Sequence, residues 1–125
     1  MADVKAVITA IGEQALSAKD PMVILFDESA SPELRAVAVI QKFAATTAQR
    51  ELTLADGDLL IIDGTTYPIE HVGSLVNENI RTIGHATLIF GDEGPQDLQN
   101  ALYLTATVKP DFKIGTELVY HHLEQ

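Results

Sequence analysis

No cysteine and no tryptophan occur in these 125 residues, and only 8 lysines and arginines stand against 18 aspartates and glutamates. The missing thiols exclude disulfides, thiolate nucleophiles and cysteine-based zinc sites, and they are compatible with a reducing compartment. The scarcity of basic residues leaves a formal net charge of −10, an acidic surface that argues against nucleic acid or anionic membrane as a partner. No apolar run approaches the ~20 residues that a membrane-spanning helix needs. The opening MADVKAVITAIGEQ has no long apolar stretch with a small-residue cleavage site behind it, so it is a poor signal peptide. A soluble chain of this length and composition fits one domain around one core.

What is present is short and β-rich. Val4 to Ile11 alternates and stops at Gly12; Val23 to Phe26 is a second run, bounded by Pro21 and Asp27. Ser31-Pro32-Glu33-Leu34 has the form of a helix start, with a serine cap, proline at the first helical position and an acid near the positive end. That helix must give way soon, because Val37 to Ile40 favours strand. Ala44 to Gln49 reads as a loop. Asp56-Gly57 is a turn into DLLIIDG, and Gly64-Thr65 closes a hairpin onto TTYPIEHV, where Pro68 predicts a sheet edge or a neighbouring bulge. A second helix is expected from Gly73-Ser74, capped by Ser74, with Leu75, Val76, Ile80 and Ile83 on one side and Gly84 as its left-handed stop. From His85 the period becomes two, and Ala101 to Val108 and Thr116 to His121 are the last strands.

Seven or eight short strands with two short helices favour an all-β fold: a small closed or nearly closed, mostly antiparallel barrel. A doubly wound α/β sheet would need a long helix after each strand.

With no thiol, the side chains able to act as nucleophiles are histidine, serine, threonine and the carboxylates. His121 and His122 are strand neighbours and point to opposite faces, so they cannot share one metal. His71 reads as an ordinary surface residue. The acidic pairs Asp56 with Asp58 and Asp92 with Glu93 read as solvated turns. No glycine spacing forms a phosphate cradle, and no G-x-S-x-G occurs. His85 follows a helix-ending glycine, where the negative end of the helix would raise its affinity for a proton. Its plain structural role would be to cap the last carbonyls of that helix, and Arg81 could serve the same carbonyls.

The segment from Tyr67 to Phe90, YPIEHVGSLVNENIRTIGHATLIF, resembles the glucitol/sorbitol-specific IIA component of the bacterial phosphotransferase system. Val72, Gly73, Asn79, Gly84, His85, Thr87, Leu88 and Phe90 fit that family's pattern, and Ile69, Ile80 and Ile83 replace other aliphatic residues. Thr9-x-Ile11-Gly12 and the Gly115-Thr116 turn agree more loosely. The resemblance implies a cytoplasmic phosphocarrier that takes phosphate from the histidine phosphocarrier protein and passes it to a IIB component. The membrane IIC part is then reached only through IIB, and no metal, nucleotide or other cofactor is needed.

One departure matters. The resemblance places the phosphorylated histidine in a phenylalanine-isoleucine-histidine stretch after the first helix, and the matching stretch here is Val39-Ile40-Gln41-Lys42-Phe43. A glutamine amide has a delocalised nitrogen lone pair and offers only hydrogen bonds. Three readings stay open. His85 could have taken over as acceptor, with Gln41, Phe43, Asn79 and Arg81 meeting partner proteins. The domain could be a regulatory or partner-binding relative that carries no phosphate. Or it could be a barrel that binds a small molecule.

Overall fold

The computed structural model describes residues 3–16, 21–91, 97–105 and 109–123. Its strands are β1 (Val4–Ile11), β2 (Met22–Phe26), β3 (Val39–Phe43), β4 (Leu59–Ile62), β5 (Thr65–Val72), β6 (Ala86–Phe90), β7 (Ala101–Leu104) and β8 (Glu117–His121). Its helices are α1 (Pro32–Ala36), α2 (Thr46–Glu51) and α3 (Val76–Ile83). The eight strands close into a barrel in the order β1-β3-β2-β6-β7-β5-β4-β8. Most neighbours are antiparallel, but β2 with β3 and β6 with β7 run parallel. None of the helices is long and apolar enough to cross a membrane.

Alternation along each strand decides what lies inside. Val4, Ala6 and Ile8 of β1 point inward with Val23 and Leu25 of β2, Val39 and Phe43 of β3, Leu88 and Phe90 of β6, and Leu118 and Tyr120 of β8. Large side chains therefore fill the barrel axis, as expected for a barrel of about eight strands. A mainly apolar pocket of about 440 Å³ remains between β1, β3 and β8, lined by Ala6, Phe43 and Leu118 among others. The opposite parity builds two smaller clusters on the outside, one of Phe26, Ala38 and Ile40 and one of Ile89, Ala101 and Tyr103.

Several expectations are met and others corrected. Ser31 caps α1 as predicted, its side chain accepting from the Leu34 N–H, with Pro32 inside the first turn. Gly84 takes the left-handed conformation at φ 61° and ends α3. Because the barrel is closed, Pro68 lies on no edge; instead the pairing of β5 with β7 slips between Ile69 and His71, the neighbouring bulge. The segment read as a loop at Ala44 to Gln49 is mostly α2, whose cap position, Ala45, offers no side-chain oxygen. Ser74 does not cap α3: the cap position is Leu75, with no side-chain bond. The strand expected at Val37 to Ile40 begins and ends later, at Val39–Phe43. The strand expected over Ala101 to Val108 spans Ala101–Leu104, and residues 106–108 lie outside the described residues. Asp92, Glu93 and most of the loop from Gly91 to Pro95 lie outside them as well.

Asp58 is also corrected. It is no solvated turn residue but is buried, accepting from the backbone N–H groups of Ala55 and Leu123 and bonding His122 Nδ1 at 2.6 Å. Burial works to raise its carboxyl pKa, yet these three donors prevail and hold it below the usual carboxylate value.

Candidate functional site

Three separate elements converge where α3 ends. The Asp27 N–H, just past β2, donates to the Ile83 carbonyl at 3.0 Å, so the end of β2 is tied to the end of α3. Gly84 sits so close to Asp27 that a Cβ there would come within 2.5 Å of the aspartate Cβ. Only glycine fits that contact, and only glycine adopts this conformation without strain. The chain then enters β6 with His85 on the outer face, by the same parity that turns Ala86 and Leu88 inward.

The His85 ring is buried and held from three directions. It stacks on Phe26 with centroids 4.2 Å apart and planes 19° from parallel. Its Nδ1 lies 2.9 Å from the Leu25 carbonyl, and its Nε2 lies 2.9 Å from Asn100 Nδ2. A carbonyl can only accept and an amide nitrogen can only donate, so the two partners specify one neutral tautomer. Nδ1 carries the proton and Nε2 presents its lone pair. Burial lowers the ring's proton affinity below that of an ordinary histidine, against an opposing contribution from the Leu25 carbonyl.

Two expectations for His85 fail here. The helix end was expected to raise its proton affinity, but burial dominates and lowers it. The ring was expected to cap helical carbonyls, but it bonds β2 instead. The helix end is served by other groups: Gly84 N–H bonds the Ile80 carbonyl, His85 N–H the Asn79 carbonyl, and Gln49 Nε2 the Ile80 carbonyl at 2.9 Å. Arg81 does not serve those carbonyls either. Its guanidinium bonds the Leu52 carbonyl at 2.7 Å and Thr53 Oγ1 at 2.6 Å, tying α3 to the segment that follows α2.

Gln41 points inward between Val39 and Phe43 and is fully buried. Its Nε2 donates to the Gly84 carbonyl at 2.9 Å, and its Oε1 accepts from the Tyr120 hydroxyl at 2.6 Å. Both ends of the amide are therefore engaged inside the protein. Burial pushes the Tyr120 hydroxyl well above the ordinary tyrosine pKa, partly offset by the bond to Gln41, so it stays a donor. Phe43 is likewise interior, stacked at 5.9 Å on Tyr120. Asn79 and Arg81 are half-buried on α3. Of the residues singled out from the sequence, Gln41 meets the Gly84 carbonyl and Asn79 accepts the His85 N–H, whereas Phe43 packs on Tyr120 and Arg81 reaches the segment after α2.

The remaining histidines stand elsewhere. His71 Nδ1 lies 3.2 Å from Asp56 on the exposed face of β5, His121 pairs with Asp3, and His122 with Asp58. No cluster of metal-ligating side chains occurs among the described residues. Sequence reasoning missed Leu25, Phe26 and Asn100 as neighbours of His85. Phe26 was legible as the end of a strand, but only the pairing of β2 with β6, which sets Leu25 opposite Ala86, brings it to the histidine. Asn100 carries no periodic signal at all.

Comparison with known proteins places this geometry in context. Residues 3–119 match the family model for the PTS system glucitol/sorbitol-specific IIA component. Over 121 residues, spanning 94% of both chains, the protein is 27% identical to the PTS system glucitol/sorbitol-specific EIIA component of Escherichia coli K12, and equally so to that of Shigella flexneri. The crystal structure of a PTS system IIA component from Enterococcus faecalis V583 superposes with a TM-score of 0.85 at 40% identity, covering 94% of this chain and 98% of that one.

Proposed function

The chain belongs to the glucitol/sorbitol-specific IIA component family of the phosphotransferase system, and from that membership we propose that it is a phosphocarrier whose acceptor is Nε2 of His85. The observation that carries this reading is the state of the ring: neutral, with Nδ1–H fixed on the Leu25 carbonyl and the Nε2 lone pair turned toward Asn100. Histidine accepts a phosphoryl group through an unprotonated nitrogen, and a ring with lowered proton affinity keeps that nitrogen available near neutral pH.

The step is a transfer between two imidazoles. The Nε2 lone pair attacks the phosphorus of the donor's phosphohistidine, a new N–P bond forms, and the donor's N–P bond breaks with its electron pair returning to the donor ring. The proton on Nδ1 stays in place. Positive charge that develops on the His85 ring is stabilised by the Leu25 carbonyl, which is already in position and needs no reorganisation. The reverse step hands the group to a IIB component, the acceptor implied by the family. No net proton is taken up or released.

Gln41 fits this reading as a support. It is enclosed, with both ends of its amide bonded inside the protein, and it fixes the carbonyl of the residue before His85. Incubation with phosphoenolpyruvate, enzyme I and the histidine phosphocarrier protein tests the reading. An acid-labile phosphate on the peptide containing His85 supports it; the absence of label under conditions that label a relative of known activity removes it.

A second reading, that of a partner-binding relative without phosphate, is favoured by one observation: His85 is only 8% exposed, its Nε2 covered by Asn100. That reading predicts capture of a IIB component by the unphosphorylated protein, and no label on any histidine.

A further inference from the structure

The turn that carries Asn100 is fastened to the barrel on both sides. Three consecutive carbonyls accept backbone N–H groups: Gln99 from Leu75 at 2.8 Å, Asn100 from Thr87 at 3.0 Å, and Ala101 from Gly73 at 2.9 Å. Gly73 packs so tightly against this turn that a Cβ there would lie 2.3 Å from the Gln99 carbonyl oxygen. The Tyr103 hydroxyl accepts the Leu98 N–H at 2.7 Å and closes the turn from the other end. The backbone that carries the Asn100 side chain is thus held in place beside His85.

Asn100 is half-buried, and its amide nitrogen lies on Nε2 of the nearly enclosed His85 ring. An amide N–H that donates to a nitrogen lone pair competes with any electrophile for that lone pair. Once the nitrogen carries a phosphoryl group, the same N–H can donate to a phosphoryl oxygen, a charged and therefore stronger acceptor. We propose that Asn100 is a positioning residue for this chemistry: its amide N–H holds the Nε2 lone pair at rest, then turns onto the phosphoryl group after transfer. The inference rests on His85 being the acceptor. It adds how the lone pair is guarded and how the phosphorylated state is retained.

The test compares wild type with Asn100→Ala and the nearly isosteric Asn100→Asp. Two readouts are taken: the ring-nitrogen NMR spectrum of His85 across pH, and the lifetime of the phosphohistidine after enzyme I and the histidine phosphocarrier protein are removed. Asn100→Asp replaces the donor with an anionic acceptor, so Nε2 should become protonated and the ring should titrate at higher pH than in wild type. Loss of packing alone would not produce that change. Asn100→Ala should shorten the phosphohistidine lifetime by roughly ten- to a hundredfold, the equivalent of one hydrogen bond to a charged group. Asn100→Gln, which keeps the donor, should recover part of that loss. A labelled wild type with an unchanged lifetime in Asn100→Ala, or an unmoved titration in Asn100→Asp, overturns the inference and leaves the phosphocarrier reading standing. A wild type that takes no phosphate overturns both.

Discussion

The side-chain amide of Gln41 donates to the backbone carbonyl of Gly84 at 2.9 Å, linking a barrel-interior position on β3 to the residue that hands the chain to His85. Its other end accepts from Tyr120, so one buried side chain satisfies a carbonyl at a helix stop and a phenol on the far strand. Buried polar groups left without partners cost more than their bonds are worth. Gln41→Ala should therefore destabilise the protein by about 2–4 kcal/mol, combining a small cavity with two orphaned groups. Denaturant melts of the two proteins measure this. Gln41→His should create no new phosphorylation site, because position 41 is enclosed; label on the introduced histidine would overturn this placement of the residue.

Gly84 makes a sharper prediction for the geometry of the site. Any side chain at this position meets Asp27 and must also adopt a left-handed backbone. Gly84→Ala should lower stability by more than the ~1 kcal/mol of conformational strain alone, and it should displace His85 from Leu25. The ring-nitrogen spectrum of His85 would report the loss of the Nδ1–H bond, separately from the fall in melting temperature.

The pH dependence of stability follows from the state of the His85 ring. Its folded proton affinity lies below the ordinary value of 6.5 because burial disfavours the charged form. As pH falls through about 6.5 the unfolded chain takes up a proton first, so this contribution to stability is complete above that pH and declines below it. A His85→Gln variant should lack this component. The difference in melting temperature between the two proteins, followed from pH 8 to pH 5, should shrink as the pH falls; a constant difference would contradict the argument.

Asp58 governs a different and more acidic window. Its carboxyl titrates below the ordinary aspartate value of 3.8 despite burial, because His122 and two backbone N–H groups bond the ionised form. The stability it supplies is complete above that value and is lost as pH falls through the lower, folded value. Asp58→Asn should cost about 1–3 kcal/mol at neutral pH and flatten the acid limb of the stability curve. Acid titrations of the two proteins by circular dichroism measure the change.

Much of this was legible in the amino-acid sequence, for identifiable reasons. Glycine after an amphipathic run marks a left-handed stop whatever the tertiary context, so Gly84 and the start of β6 could be located from local chemistry. The alternation of β1 announced a half-buried strand in the same way, whereas β6 alternates yet is buried on both faces. α2 was not legible, since Ala45 offers no cap and Thr46-Thr47 favours extended chain; what holds it is tertiary, including Gln49 on the Ile80 carbonyl and Arg81 on Leu52. The role of Gln41 was half legible. Its strand parity shared with Val39 and Phe43 points inward, whereas the resemblance drew attention to missing chemistry. The neighbours of His85 were not legible, because Leu25, Phe26 and Asn100 reach it only through strand pairings distant in sequence.

The most direct test of the account is site-resolved phosphorylation of wild type and His85→Gln by phosphoenolpyruvate, enzyme I and the histidine phosphocarrier protein, read by mass spectrometry under alkaline conditions. The account predicts a single acid-labile phosphoryl group on the peptide that contains His85, absent from the variant while the variant remains folded. Label on His71, His121 or His122, or no label on the wild type at all, would contradict it.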